Sequence, residues 1–154
     1  MNKFVSFAKV ALLFAGCAFV VSSCTEEDED PSIIGSWVFT DAVFNPAVMI
    51  DSVMVTDAYS MFFPTACSQD DIVIFQDGGV QVNDQGALKC DSTAAQQETS
   101  SYSYTGSTLY MITADGDTSG NMTNVVITST TITGSTLVDV GSGDVNVDFT
   151  LTRQ

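Results

Sequence analysis

Val145-Asn146-Val147-Asp148-Phe149-Thr150-Leu151-Thr152 alternates apolar and polar side chains without a break. Period two sends Val145, Val147, Phe149 and Leu151 to one side of a strand and the polar residues to the other, so one face is buried and one solvated. Reading back from this segment, the chain from Ser32 onward is rich in Val, Ile, Thr, Tyr and Phe, the composition of strands. Further strands are expected at 36–44, 71–76, 79–83, 87–90, 99–105, 108–113, 122–129 and 131–140. Turn residues separate them: Asp77-Gly78, Asp84-Gln85-Gly86, Gly106-Ser107, Asp115-Gly116-Asp117 and Gly141-Ser142-Gly143-Asp144. Short strands joined by tight turns give an antiparallel meander, hence an all-β barrel or sandwich. One stretch departs from this pattern. Ile50, Val53, Met54, Ala58, Met61 and Phe62 recur at helical spacing, interrupted by Asp57 on the same stripe, which predicts a short helix or irregular cover within 50–63.

The other end of the chain reads differently. Residues 1–9 carry Lys3 and Lys9, residues 10–21 are almost wholly apolar, and Ser22-Ser23-Cys24 follows. This order is that of a secretory signal. The apolar core is shorter than the roughly 20 residues of a comfortable membrane span. Thr25-Glu26-Glu27-Asp28-Glu29-Asp30-Pro31 then forms a block of like charge that self-repels and extends as a tether. Three segments result: a cleaved signal over 1–23, a tether over 24–31 and one domain over 32–154.

Charge narrows the partners. The chain has four Lys and Arg against nineteen Asp and Glu, a formal charge of −15, and no histidine. Beyond the signal, Lys89 and Arg153 are the only cations. Nucleic-acid binding rests on cations that neutralise phosphates, so that class is excluded. Without histidine there is no triad base or proton shuttle. The carboxylates fall mostly in turns without a recognisable pair, Lys89 is expected exposed on a short strand, and no serine or threonine has an evident base. The chain therefore reads as no enzyme, with no cofactor. Of the four cysteines, Cys17 lies in the signal, and Cys67 and Cys90 remain as an even pair for an oxidising compartment. A Cys67–Cys90 disulfide is the expected pairing, with two free thiols as the alternative; two isolated cysteines without histidine lack a zinc ligand set.

Ser22-Ser23-Cys24 resembles the lipobox of bacterial lipoproteins. The resemblance implies cleavage between Ser23 and Cys24 and lipidation (such as palmitate) on Cys24, hence a membrane anchor. The acidic run after Cys24 is similar to the surface-export signal of some Gram-negative lipoproteins, which implies an outer-membrane, cell-surface location.

Gly35-Ser36-Trp37, a Gly-x-Trp opening the first strand, is similar to the signature of lipocalins. The segment 67–78 with Asp70-Asp71, Phe75 and Asp77-Gly78, closing at Cys90, resembles a pattern of bacterial lipocalin-like lipoproteins. Together these implicate about 33–154 and imply a single up-and-down antiparallel β-barrel of about eight strands. In lipocalins the tryptophan packs at the closed end against a late arginine. Arg153 is the candidate here, since by parity it continues the apolar face of Val145, Val147, Phe149 and Leu151; a frayed, solvated C-terminal arginine is the alternative.

The family's usual use of its barrel implies an interior cavity for a small apolar ligand. The inward candidates Phe39, Met61, Phe62, Phe75, Tyr102, Tyr104, Met111 and Phe149 would give a soft aromatic lining, or would simply fill the barrel. In the second case the protein is a surface interaction or adhesion module acting through its loops. One further segment carries chemistry. Asp115, Asp117, Ser119 and Asn121 place oxygen ligands at alternate positions, like the first half of a calcium loop. The twelfth position is Val126, which cannot ligate, so the loop is incomplete and also reads as a polar hairpin turn.

Overall fold

The computed structural model describes residues 31–113, 115–141 and 143–154. Ser23, Cys24 and the acidic run of the tether lie outside the described residues. Nine strands form one antiparallel sheet: β1 (Gly35–Ile50), β2 (Val53–Asp57), β3 (Ile72–Gln76), β4 (Val80–Asp84), β5 (Gln97–Thr105), β6 (Thr108–Ile112), β7 (Thr118–Ile127), β8 (Thr131–Asp139) and β9 (Asp144–Arg153). Two single-turn helices, α1 (Tyr59–Phe62) and α2 (Ala66–Gln69), lie between β2 and β3. Strands β3 to β9 pair in sequence order, and β9 pairs back onto β1, so eight strands close a barrel. Closure removes the free edges that an open sheet would present.

The long first strand makes this possible. Its start pairs with β3 (Gly35↔Phe75, Trp37↔Val73), its middle with β9 (Trp37↔Arg153, Phe44↔Val147), and its end with β2. The short helix expected within 50–63 is present as α1, and ahead of it the chain adds a strand, β2, that the helical spacing did not indicate. Asp51 and Ser52 have φ of 49° and 69°, so the chain reverses in a two-residue turn with both central residues left-handed, the geometry that suits a hairpin. Val53, Met54 and Val55 continue as a strand, and the helix is confined to the four residues of α1.

The strand expected at 87–90 is absent from the described residues. That segment lies in the loop joining β4 to β5. Asp70 Oδ2 accepts from the backbone N–H groups of Ala87 and Leu88, at 2.9 and 2.8 Å, and so takes the donors a strand partner would have used.

The core is one cluster inside the barrel. Trp37, Ile132 and Val147 are fully buried, surrounded by Ala42, Phe44, Phe75, Leu109, Met122, Phe149 and Leu151. The alternation in β9 is realised as read, with Val147, Phe149 and Leu151 inward. Gly134 admits Met122 into this core: a Cβ there would stand 2.5 Å from Met122 Cγ. Every member of the cluster lies between Ile33 and Leu151, so a chain beginning at Pro31 carries the whole core and the closed sheet with it.

Candidate functional site

The two ends of the barrel are built differently. At the end where β1 starts and β9 finishes, Trp37 is wholly buried and its indole N–H donates to Ile33 O at 2.8 Å. Arg153 lies over it, Cζ 4.3 Å from the ring centroid. The guanidinium donates from Nε to Ser129 O (2.7 Å), from Nη1 to Ile34 O (2.9 Å) and from Nη2 to Ser32 O (2.7 Å). It thus ties the segment before β1 to the turn between β7 and β8. Gly35 is required beside it for two reasons: its φ is +140°, and a Cβ there would overlap Arg153 Nη1. Gly35, Trp37 and Arg153 are therefore one assembly that seals this end.

The opposite end carries the helices and the β4–β5 loop. Cys67 in α2 and Cys90 in that loop form a disulfide with Cα atoms 5.2 Å apart. Thr65 caps α2, its side chain accepting from Ser68 N while the Ser68 hydroxyl takes the Thr65 N–H. Lys89 lies in the loop, not on a strand, and its Nζ donates to Ala94 O at 2.5 Å. Asp84 accepts from Gln96 and Gln97, which holds its carboxyl below the usual range, and Thr93 does the same for Asp91. Asp71 behaves oppositely: partial burial, with Asp70 and Asp84 nearby, raises it.

Between these ends lie two adjoining cavities, both bordered by Phe39 and Met111. One, of about 330 Å³, is bounded by Phe62, Phe63, Met122, Val138 and Phe149. Aromatic contacts fix its rim. Phe63 stacks on Phe39 with centroids 5.1 Å apart, Phe62 meets Phe149 at 5.4 Å, and the Tyr59 hydroxyl donates to Phe39 O at 2.9 Å, pinning α1 over the barrel. Burial raises the Tyr59 pKa, so its phenol stays a donor. The second cavity, of about 400 Å³, is polar on one side, where Gln81, Asn83, Glu98 and Ser100 face it from β4 and β5.

Of the inward candidates, Phe39, Phe62, Met111 and Phe149 border a cavity, whereas Phe75 and Tyr102 pack against each other at 4.8 Å in the core. Met61 and Tyr104 are corrections, since both are exposed. Met61 projects outward, whereas Phe62, though partly exposed, reaches Phe149; Tyr104 sits at the end of β5, beside the β5–β6 turn.

Asp115, Asp117, Ser119 and Asn121 fall on the hairpin between β6 and β7. Thr113 N donates to Asp117 O, the Ser119 hydroxyl donates to Met111 O, and Asn121 lies opposite Tyr110 in the ladder. Among the described residues, no group of three or more His, Cys, Asp or Glu side chains is placed to hold a metal.

Sequence reading missed the polar wall. Val80-Gln81-Val82-Asn83 alternates in a way that assigns the valines to the core. Pairing decides otherwise: Gln81 lies opposite Phe75 and Ser100, inside the barrel, and is 4 % exposed. The available signal was not in β4 but in its neighbours, since Tyr102 and Phe75 set the inward parity.

The lipocalin-like domain family model matches residues 33–138, which takes in β1 through most of β8; β9 and Arg153 lie beyond the match. No curated protein and no solved structure matches the chain. With a closed eight-stranded barrel, an end sealed around Trp37 and a family match over most of its length, the chain belongs to the lipocalin-like domain family.

Proposed function

We propose that this protein is a lipid-anchored binding protein of the cell envelope, which holds a small apolar molecule in the barrel. The observation that carries the reading is the cavity of about 330 Å³ lined by Phe39, Phe62, Phe63, Met122, Val138 and Phe149. Its size falls in the range of small-ligand sites, and its lining is apolar and polarisable. The barrel is thus sealed at one end and hollow toward the other, which suits carriage better than a fully packed barrel. Anchoring through Cys24, with Ser23–Cys24 cleaved and the protein facing outward from the outer membrane, is supported by the lipobox resemblance and the acidic run. No described helix is long and apolar enough to cross a membrane. The role is non-catalytic in this reading; the chain has no histidine and the family fold suits binding.

The test is native mass spectrometry of the domain, cut free at the tether from full-length protein purified gently from its own cell envelope. A reproducible added mass, released on denaturation, is the expected result. A bare polypeptide mass refutes carriage and moves the function to the surface, where Met49, Val53 and Met54 on the β1–β2 hairpin are about 60 % exposed and could contact a protein partner. Anchoring has its own test: Cys24→Ala is expected to abolish fatty-acid labelling and release the protein from membranes, and persistent labelling refutes it.

A further inference from the structure

Gln81 is 4 % exposed, yet its Oε1 has no hydrogen-bond partner among the described residues, while its Nε2 donates to Asn83 Oδ1 at 2.9 Å. A buried polar atom without a partner is costly, and in a native protein it calls for an explanation. Gln81 lines the polar cavity, together with Glu98 and Ser100. Among the described residues, no lysine or arginine borders that cavity. Beside hydroxyl and amide groups that can donate or accept, the wall therefore carries one negative charge and one unsatisfied acceptor, and both call for a donor.

We propose that the bound molecule is an amphiphile with a protonated amine as its head group, seated against Gln81 Oε1 and Glu98, its apolar chain lying in the adjoining cavity beneath Phe62 and Phe63. This deepens the carrier reading and rests on it. An ammonium supplies up to three donors, enough to satisfy Oε1 and to pair with the exposed carboxylate of Glu98. A carboxylate head would face Glu98 and an acceptor oxygen with no cation to offset them, and would be rejected by like charge and desolvation. Phe39 and Met111 border both cavities, and the flexible thioether of Met111 is the side chain best able to give way to a chain that passes between them.

The test uses residues 31–154 and three probes with the same tail: decylamine, decanol and decanoate, titrated by calorimetry at neutral pH. Decylamine is expected to bind at least about tenfold more tightly than decanoate. Glu98→Gln, at an exposed position, is expected to shrink that ratio, and Gln81→Leu to weaken decylamine and decanol together; thermal melts of both variants verify the fold. Decanoate binding as tightly as decylamine, or a ratio unmoved by Glu98→Gln, overturns the head-group assignment and leaves the carrier reading standing. Failure of all three probes to bind overturns both.

Discussion

Replacing Arg153 by alanine removes the seal of the closed end in one step, and its cost can be worked from the geometry. Three donations from the guanidinium to backbone carbonyls are lost, at 2.7, 2.9 and 2.7 Å. Two of the three lie at exposed positions, so each is placed near the low end for a charged donor, about 1 kcal/mol. The stacking over Trp37, at 4.3 Å, adds about 0.5–1 kcal/mol at a half-exposed site. The expected destabilisation is about 3–4 kcal/mol, which for a domain of this size lowers Tm by roughly 10–15 °C. Urea unfolding followed by fluorescence and circular dichroism measures it. The cycle with Trp37→Phe isolates the stacking, with an expected coupling of about 0.5–1 kcal/mol. Gly35→Ala gives an independent arm: it is expected to cost about 2 kcal/mol, and less in the Arg153→Ala background, because the overlap with Nη1 disappears while the backbone strain at φ +140° stays. A cost below about 0.5 kcal/mol for Arg153→Ala, in the range of ordinary surface changes, would refute the seal. Strict additivity with Trp37→Phe would refute the stacking alone.

Reduction, or the Cys67→Ser/Cys90→Ser pair, is expected to destabilise the domain by about 3.5 kcal/mol, the loop-entropy value for a separation of 23 residues, measured as a shift in urea midpoint; no shift would mean that α2 and the β4–β5 loop are held without the bond. Asp71→Asn is expected to raise Tm slightly at neutral pH. The folded carboxyl is raised by partial burial and by Asp70 and Asp84, so its ionisation opposes folding above the raised value; at a pH below the ordinary value of about 4 both states are protonated and the gain should vanish. A gain that persisted at pH 3 would place its origin outside titration.

The alternation of Val145, Val147, Phe149 and Leu151 was legible because the apolar residues of β9 turn into the barrel and the polar ones away from it, so period two survives in the residues. The parity that carries Arg153 inward follows from the same fact. Gly35-Ser36-Trp37 was legible because a backbone at positive φ beside a guanidinium accepts only glycine. Where both sides of a strand or turn serve special purposes, local pattern loses its meaning. In β4, Gln81 and Asn83 line a polar cavity while Val82 is buried on the other face, so alternation pointed the wrong way. In 50–63, apolar residues at helical spacing belong in part to an exposed hairpin, and Asp51 and Ser52 reverse the chain in a way that no periodicity encodes.

The sequence by itself determined an all-β meander, an acidic chain unsuited to phosphate, a cysteine pair and a Trp–Arg candidate, because each depends on residue type or on the repeat along one strand. Only the tertiary structure decided that β9 closes on β1, that α1 is pinned over a hollow half of the barrel, and that a glutamine oxygen is buried inside with no partner among the described residues. Those features depend on which strands become neighbours around a closed ring, and that is a property of register across the whole sheet rather than of any one segment.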